Sequence, residues 1–256
     1  MIFDSHAHYN DAQFDADRFE LLDTMPEDDV AYIMNVSDSI ESVKKIIPIA
    51  ERYPFVFASV GVHPEEVENL TEADMDVLKS YAKHPKVKAI GEIGLDYHYD
   101  DVSKDLQKKW FARHIELAKE VNLPVIIHDR DAHKDCMDIL RAGDVSKTGG
   151  IFHCYSGSCE MAAEILDWGM YIAFGGTLTF KNNRRAKEVA KYVPIDRIVL
   201  ETDCPYLAPE PNRGKRNNSS YIHFVAETLA AIKEMTAEEV ERLTCENAKK
   251  CYRIED

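Results

Sequence analysis

Short apolar runs alternate along this chain with longer segments whose apolar residues recur every three or four positions. Runs of this kind that are rich in Val, Ile, Phe and Tyr are typical of buried β-strands. Eight of them occur, at residues 2–5, 30–36, 55–60, 87–93, 124–128, 150–154, 170–175 and 197–201. The pattern therefore predicts eight buried strands distributed over the whole chain.

The segments between most of these strands have the spacing of amphipathic helices. They predict helices at residues 39–52, 71–84, 103–121, 132–141, 160–168, 182–192, 220–234 and 236–250. Two of these begin with a capping box, in which a Thr hydroxyl and the acidic side chain three positions later each accept a hydrogen bond from the other's backbone N–H. The pairs are Thr71 with Asp74 and Thr236 with Glu239. We expect Pro48 to bend or shorten the first helix, because proline removes a backbone donor.

Strands that alternate with helices pair in parallel through right-handed crossovers. Eight such units in 256 residues match an α/β fold of the (β/α)8 TIM-barrel type. An open doubly wound sheet is the competing architecture. It is disfavoured because the strands are nearly all apolar and no G-x-G-x-x-G motif follows the first strand. No internal repeat or linker interrupts the chain, so we expect a single domain over residues 1–256.

The composition narrows the class of protein further. Hydrophobic residues make up 45% of the chain and charged residues 30%, as in globular proteins with a substantial core. The formal net charge of −15 argues against a broad basic face wrapped around nucleic acid. It leaves room for a phosphodiester substrate, because bound metal ions can reverse the potential locally.

Neither a secretion signal nor a membrane segment is expected. The opening residues, MIFDSH, have no basic region, and no apolar run approaches the ~18 residues of a membrane helix. The six cysteines form no C-x-x-C pair and are typical of reduced thiols. We therefore expect a cytoplasmic protein with no membrane partner.

Histidines and acids follow several of the predicted strands. His6 and His8 are two positions apart, so in an extended strand they project from the same face. The carboxyl ends of all strands in a TIM barrel meet at one rim, where further polar residues of this kind are expected to gather. They are His63, Glu92, Asp96, His128, Arg130, His153, Glu201 and Asp203. The strands at 30–36 and 170–175 supply no comparable ligand.

Each of these residues taken singly is compatible with a turn, a cap or an ion pair, but charged groups seldom lie in apolar strands unless they are paired or bind metal. Six of them form the predicted ligand set: His6, His8, Glu92, His128, His153 and Asp203. Six ligands exceed what one catalytic metal usually takes, and they suit two divalent ions that share a bridging carboxylate.

We expect Glu92 to be the bridge between the two ions. His6, His8 and Asp203 are assigned mainly to one ion, and His128 and His153 mainly to the other. The imidazoles favour Zn, Mn or Fe over an all-oxygen Mg site, while weakly held Mg or Mn stays open.

Taken together, the motifs resemble the TatD family of metal-dependent deoxyribonucleases. The matching stretches are FDSHAH, GVHPE, AIGEIGLDY, VIIHDRDA, FHCYSG and LETDCPYLAP, followed by NRGKRNN; they occur in family order over about residues 3 to 218. The resemblance implies a TIM barrel of the metal-dependent hydrolase type. It also implies hydrolysis of phosphodiester bonds in DNA, often as a 3′→5′ exonuclease on single strands.

The resemblance assigns the same six residues as metal ligands. It implies that Glu201 helps to bind an additional ion or orients Asp203, and that His63 and Arg130 face the substrate phosphate. In the expected chemistry, Asp203 orients or deprotonates the attacking water beside Glu92, and the Arg130 guanidinium contacts phosphate oxygens. We expect a monomer that acts on single-stranded DNA ends.

The loop PEPNRGKRNN places Arg213, Lys215 and Arg216 near the end of the eighth strand, either as substrate contacts or as a solvated face. In family members, the Arg-Gly-x-Arg segment is commonly followed by Asn-Glu-Pro. This chain departs from that pattern at Asn218, Ser219 and Ser220, which puts the shape of the substrate-side loop in doubt. The tyrosines that follow strand ends are candidates for base stacking: Tyr97, Tyr99, Tyr155 and Tyr206.

Two rival functions remain open at this point. One is a metal-dependent amidohydrolase or esterase on the same barrel, including an aminoacyl-tRNA deacylase. Glu92, which stands where many amidohydrolases have a modified lysine, and Arg130 beside His128 favour a phosphate-containing substrate instead. The other is a non-catalytic barrel that holds metal structurally. It is disfavoured because structural zinc sites usually close with four, often thiolate, ligands.

Overall fold

The computed structural model describes residues 1–99 and 101–255, and within them eight strands form one parallel sheet in sequence order. The strands are β1 (Ile2–Ala7), β2 (Val30–Val36), β3 (Val56–Val60), β4 (Val87–Asp96), β5 (Val125–Arg130), β6 (Gly150–Phe152), β7 (Tyr171–Phe174) and β8 (Ile198–Leu200). All eight predicted strands are present, and most boundaries shift by no more than two residues. The polar residues of β1, β4 and β5 extend these strands beyond their apolar runs.

The sheet closes into a barrel where β1 meets the chain just after β8. Ala7 forms a parallel bridge with Cys204. The backbone N–H of Asp203 donates to the carbonyl of His6 at 2.9 Å, and that of His8 donates to the carbonyl of Cys204 at 2.8 Å. This closure sets the two ends of the predicted ligand set, His6 and Asp203, side by side.

Helices connect the strands. They are α1 (Arg18–Thr24), α2 (Ile40–Arg52), α3 (Glu72–Tyr81), α4 (Lys104–Val121), α5 (His133–Ala142), α6 (Cys159–Asp167), α7 (Arg184–Tyr192), α8 (Ile222–Lys233) and α9 (Ala237–Tyr252). Both predicted capping boxes are confirmed at the starts of α3 and α9. The sequence analysis missed α1, a seven-residue helix in which only Leu22 is buried and which therefore shows little apolar periodicity.

Of the two effects expected of Pro48, a bend or a shorter helix, the shortening is wrong, because α2 continues through Pro48 to Arg52. Proline inside a helix costs about 3 kcal/mol. Burial of Val43, Ile46 and Ile49 on the inner face of α2 offsets this, since each fully buried aliphatic side chain contributes roughly 1.5–3 kcal/mol.

Side chains alternate in direction along each strand, so the polar residues at the rim can be related to the apolar residues inside the barrel. Ile126, Ile151 and Val199 belong to one buried cluster, which Tyr252 of α9 joins. His128 and His153 each lie two positions after one of these residues, so they point to the same face at the carboxyl end of the strand. The apolar pattern that fills the barrel thus also aims the polar residues into its mouth. Within the described residues, no helix is long and apolar enough to cross a membrane.

One histidine is buried away from the rim. His114 of α4 is 1% exposed, and its Nδ1 donates to the carbonyl of Trp110 at 2.7 Å. Its Nε2 finds no hydrogen-bond partner among the described residues. Burial lowers the pKa of His114 to about 4.

His114 should therefore make folding sensitive to acid. In the unfolded chain a histidine binds a proton near pH 6.5, whereas folded His114 stays neutral until about pH 4, so stability falls as the pH drops through this interval. Between pH 7 and pH 5, the free energy of unfolding should fall by about 2 kcal/mol less in the His114→Gln variant than in the parent protein. Urea unfolding with chelator present measures this, and His84→Gln, at a partly exposed histidine, is the control. Parallel pH profiles for the parent and His114→Gln would contradict the prediction.

Candidate metal centre

A cavity of about 670 Å³ lies at the carboxyl ends of the strands. Five of the six predicted metal ligands line it: His8, Glu92, His128, His153 and Asp203. The sixth, His6, is fully buried and lies behind His8, with its Nε2 3.0 Å from the Nε2 of His8. The structure therefore brings the whole predicted set together.

Glu92 occupies the centre of this arrangement. Its Oε2 faces His6 and His8, at 3.4 Å and 3.6 Å from their Nε2 atoms. Its Oε1 is 2.9 Å from Nδ1 of His128 and 3.6 Å from Nε2 of His153. One carboxylate oxygen is thus directed to each side, which is the arrangement that a bridging ligand requires.

The first group of donors consists of His6, His8 and Asp203, whose ligand atoms all lie within 4.8 Å of one another. Asp203 Oδ1 is 3.8 Å from Nε2 of His6 and 3.4 Å from Nε2 of His8. This geometry agrees with the predicted first ion.

The side of the cavity that contains His128 and His153 holds more potential metal ligands than the sequence predicts. His63, Glu92 and His128 form one group of potential ligands, and His6, His153 and Glu201 form another. His63 was assigned to the substrate phosphate, but its Nε2 is 3.9 Å from Oε1 of Glu92. His63 therefore lies among the potential ligands as well as at the cavity wall.

Carboxylates and carbonyls behind the histidines fix their orientation. His8 Nδ1 donates to the carbonyl of Val36 at 3.1 Å, which leaves Nε2 free to bind a cation. His153 Nδ1 lies 2.9 Å from Oε2 of Glu201, whose other oxygen accepts from the Cys154 N–H at 2.7 Å. Glu201 thus orients His153, a role that the sequence analysis did not assign to it, and it also belongs to one of the groups of potential ligands.

Two further acids at the site were not among the predicted ligands. Asp96, at the end of β4, has its Oδ2 2.9 Å from Nε2 of His128. Asp38 lines the cavity just beyond β2, a strand from which no ligand was expected. Both acids follow apolar strands, the same signal that identified the other site residues.

Close backbone approach brings Glu92 and His128 together. Gly94 has a φ of +148°, and a Cβ at this position would lie 1.9 Å from the carbonyl oxygen of His128. Only glycine fits such a conformation at such a distance. Gly94 therefore permits β4 to lie close enough to β5 for the contact between the two side chains.

The electrostatics of the cavity favour positive charge. Burial by itself lowers the pKa of a histidine, but hydrogen bonds to Asp96 and Glu92 raise that of His128 to about 10. The pKa of His153 rises to about 9 against the effect of burial, chiefly through the charge of Glu201. Burial would also raise the pKa of Glu92, yet the charges of His6 and His153 hold it well below its usual range.

The residues present fit divalent cations. The converging donors are imidazole nitrogens and carboxylate oxygens, the ligand types of catalytic Zn and Mn sites. The carboxylates that stabilise positive charge on the histidines would also stabilise a cation placed among them. Metal and protons would then compete for the same nitrogens.

A buried network supports the closed edge of the barrel beneath this site. Asp4, fully buried, accepts hydrogen bonds from the N–H and hydroxyl of Thr202 at 2.9 Å and 2.6 Å. It also accepts from the Ser219 hydroxyl at 2.6 Å, and the Tyr9 hydroxyl donates to the same Ser219 oxygen at 2.9 Å. Ser219, part of the departure from the family pattern, is therefore a buried structural residue directly linked to β1.

The predicted substrate arginines differ in position. Arg130 lines the cavity, 45% exposed, with its guanidinium 5.2 Å above the ring of Tyr99. Arg213 and Arg216 do not line it: Arg213 lies 4.3 Å above the Phe180 ring, and Arg216 forms an ion pair with Asp17 at 2.5 Å. The structure thus brings only Arg130 to the site.

The four tyrosines also divide into two pairs. Tyr99 and Tyr206 line the cavity and are about half exposed. The Tyr97 hydroxyl donates to Asp135 at 2.8 Å, and that of Tyr155 donates to the carbonyl of Ser158 at 2.7 Å. Only the first pair has rings available at the cavity rim.

The fold and the site together define a metal-dependent hydrolase built on a TIM barrel. Residues 3–253 match the model of the family described as TatD related DNase. The chain belongs to the TatD family.

Individual relatives agree with this assignment. The chain is 46% identical over 254 residues to a Bacillus subtilis protein named "Uncharacterized metal-dependent hydrolase YabD", covering 99% of this chain and 100% of that one. It is 28% identical over 259 residues to the "3'-5' ssDNA/RNA exonuclease TatD" of Musicola paradisiaca, covering 99% and 98%. The crystal structure of the TatD homolog YJJV from Escherichia coli superposes with a TM-score of 0.93 at 27% identity, covering 99% and 98%.

The contact between Glu201 and His153 can be tested through metal affinity. Glu201→Gln keeps the shape of the side chain but weakens the acceptor that fixes His153, and we expect metal affinity to fall 10–100-fold, on the order reported for such supporting residues. Competition with a chromogenic chelator measures the affinity. Asp131→Asn, at an exposed acid outside the cavity, is the control. Unchanged affinity in Glu201→Gln would show that His153 does not depend on this carboxylate.

The Ser219 network can be tested through stability. Ser219→Ala removes one donor to buried Asp4 and one partner of Tyr9, and we expect a loss of about 1–3 kcal/mol in the free energy of unfolding. The neighbouring Ser220→Ala is a matched control, because among residues 1–99 and 101–255 that hydroxyl donates only to Asn218 in its own turn. Urea denaturation compares the two variants, and equal stabilities would contradict the structural role of Ser219.

Proposed function

We propose that this chain hydrolyses phosphodiester bonds in DNA as a 3′→5′ exonuclease on single strands, using two divalent ions of Mg, Mn or Zn. The observation that carries the proposal is the position of Glu92, which directs one oxygen toward His6 and His8 and the other toward His128 and His153. Arg130, at the rim of the same cavity, supplies a cation of the kind that recognises phosphate.

The proposed ligands are His6, His8 and Asp203 for one ion, and His128 and His153 for the other, with Glu92 shared. Two bound divalent ions would lower the pKa of a water molecule toward neutrality and neutralise the charge that develops on the phosphoryl oxygens. His63, Asp96 and Glu201 surround this set.

Asp203 is the proposed base that orients or deprotonates the attacking water. Its side chain is 15% exposed and faces the cavity, while its backbone N–H is bonded to His6. Burial would raise the pKa of Asp203, but the charge of His153 and the hydrogen bond from His8 lower it. The carboxylate is therefore ionised and able to accept a hydrogen bond from the attacking water.

Arg130 and His63 are the proposed phosphate contacts. The Arg130 guanidinium is a planar fork that can donate two hydrogen bonds to phosphate oxygens. Burial and the charge of His128 lower the pKa of His63 to about 4. His63 is thus neutral at pH 7 and contributes a hydrogen bond rather than a charge.

The preference for a single strand rests on two further features. A single strand exposes base faces, and Tyr99 and Tyr206 offer rings at the cavity rim on which a base can stack. The name of the Musicola paradisiaca relative covers both single-stranded DNA and RNA. RNA therefore belongs in the test as a second strand type.

We further propose that residues 1–256 act as a single hydrolase domain, as a monomer, in the cytoplasm. The parallel sheet runs from β1 to β8 without a break in strand order, and α9 packs back against β1 and β8. The six cysteines are all free thiols, as a reducing compartment would keep them.

Nuclease activity should depend on metal and on His128. We expect end-labelled single-stranded DNA to be shortened from its 3′ end with Mn, Mg or Zn present, and to stay intact with excess chelator. His128→Ala removes a proposed ligand and should lower the rate by about 100-fold or more, beyond the loss typical of supporting residues. Gel time courses measure the products, and elemental analysis should find two ions per chain in the parent protein.

His98→Ala is the matched control, because His98 is an exposed histidine that does not line the cavity. Duplex DNA, single-stranded RNA, and ester and amide substrates, including aminoacyl-tRNA, complete the panel. Equal activity of the parent and His128→Ala would mean contamination or a wrong site. Turnover of the esters or amides without cleavage of any nucleic acid would show instead that the chain is an amidohydrolase or esterase.

A further inference from the structure

Two neighbouring segments outside the cavity, one around the start of α7 and one in the loop after β8, carry exposed cations. Lys181, Arg184, Arg185 and Arg213 form what we call the basic patch; all four are exposed. Within the described residues none of the four forms an ion pair with a carboxylate. The segment 180–187 contains four cations and no acid, and the segment 212–218 contains three cations and no acid.

This concentration is unusual in a chain with a net charge of −15. Many other surface cations pair with acids, as Lys79 does with Glu120 at 2.7 Å and Arg141 with Glu164 at 2.6 Å. Even Arg216, only three residues beyond Arg213, is neutralised by Asp17. The patch is therefore a local region of positive potential on an acidic protein.

Direct contacts join the two segments into one surface. The Arg213 guanidinium lies 4.3 Å above the ring of Phe180, the residue before Lys181. The Glu210 N–H donates to the Thr179 hydroxyl at 2.8 Å. Arg213 is thus held beside Phe180, which directly precedes Lys181 and lies four and five residues before Arg184 and Arg185 at the start of α7.

The patch borders the proposed active site. Gly176 lies against the backbone of Leu207, which lines the cavity, and a Cβ on Gly176 would be 1.9 Å from the Leu207 carbonyl oxygen. The Thr177 hydroxyl interacts with the thiol of Cys154, another lining residue. Phe180 follows only three residues later, which is about 6 Å of chain at the rise of a 3₁₀ turn. Lys181, the first of the cations, is therefore only four residues along the chain from the contact between Thr177 and the cavity lining.

The cavity itself lacks such charge. Arg130 is the one Lys or Arg among its described lining residues, whereas Asp38, Glu65 and Glu66 lie along the same wall as the proposed ligands. A strand that extends beyond the scissile phosphate would meet repulsion at these acids and attraction at the basic patch. The basic patch thus offers positive charge to the part of the strand that leaves the cavity, whereas the acidic lining of the cavity does not.

We propose that the basic patch binds the phosphates of a single-stranded nucleic acid on the 5′ side of the bond that is cleaved. This rests on the proposed nuclease function, since it names where the rest of that substrate lies. The patch makes long single strands bind more tightly, and be cleaved more efficiently, than dinucleotides, which fill the cavity without reaching it.

The test compares two double charge reversals of equal size. Arg184→Glu with Arg185→Glu alters the patch, and Lys44→Glu with Lys45→Glu alters two exposed lysines of α2, between β2 and β3, as the control. Fluorescence anisotropy measures binding of an oligonucleotide of about 20 nucleotides, longer than typical single-strand sites. A His128→Ala background slows its degradation.

We expect the patch variant to weaken binding at least about tenfold near 0.1 M salt, and to reduce the slope of log affinity against log salt by about 1.4, or 0.7 for each lost phosphate contact. In the active enzyme it should lose at least tenfold more kcat/KM on the long strand than on a dinucleotide. The control should stay within about twofold of the parent in both measurements, as substitutions far from the binding surface do.

Equal losses in the patch variant and the control would show an effect of total charge and overturn the proposal. Binding to phosphatidylglycerol vesicles without binding to the oligonucleotide would overturn it in favour of a membrane surface. If binding depends on the patch but no strand is cleaved, the result would support nucleic-acid binding at the patch and overturn the proposed nuclease function. If the patch variant binds and cleaves long strands as well as the parent does, the proposed role of the patch would be overturned while the nuclease function would stand.

Discussion

The Glu92 carboxylate is 4% exposed and has imidazoles on several sides. An isolated ion in such a position costs several kcal/mol in lost hydration, so it persists only where opposite charge and hydrogen bonds replace the water. His6 in β1, His128 in β5 and His153 just after β6 supply this replacement. These three imidazoles and the buried Glu92 charge therefore stabilise one another, and the barrel holds them together.

The barrel meets this requirement through contacts that are themselves polar and buried. Asp4 joins β1 to the segment after β8 through Thr202 and to a later loop through Ser219. Burial raises the pKa of Asp4 to about 7, although hydrogen bonds from Ser219 and Thr202 oppose the shift. The loop in which the chain departs from its family is thus tied to the strand that carries His6 and His8.

Charge is distributed unevenly around the mouth of the barrel. Acids gather inside the cavity, where they favour cations. Outside it, the Lys and Arg side chains of the basic patch form no ion pair with any acid that the structure describes. This separation makes a net charge of −15 compatible with the phosphodiester substrate that we propose. Divalent ions would neutralise the interior, and the patch would meet the part of the strand that the interior cannot hold.

The sequence by itself determined the eight strands, the capped helices and the residues that converge on the rim, because apolar periodicity and capping are local properties and parallel strands end at one edge. It could not determine α1, the continuation of α2 through Pro48, or the pairing of Arg216 with Asp17, since each depends on packing against distant residues. The roles of Asp38, Asp96 and Glu201 likewise needed the tertiary structure. A buried acid's function is set by which groups replace its water, and only the closed barrel decides which groups those are.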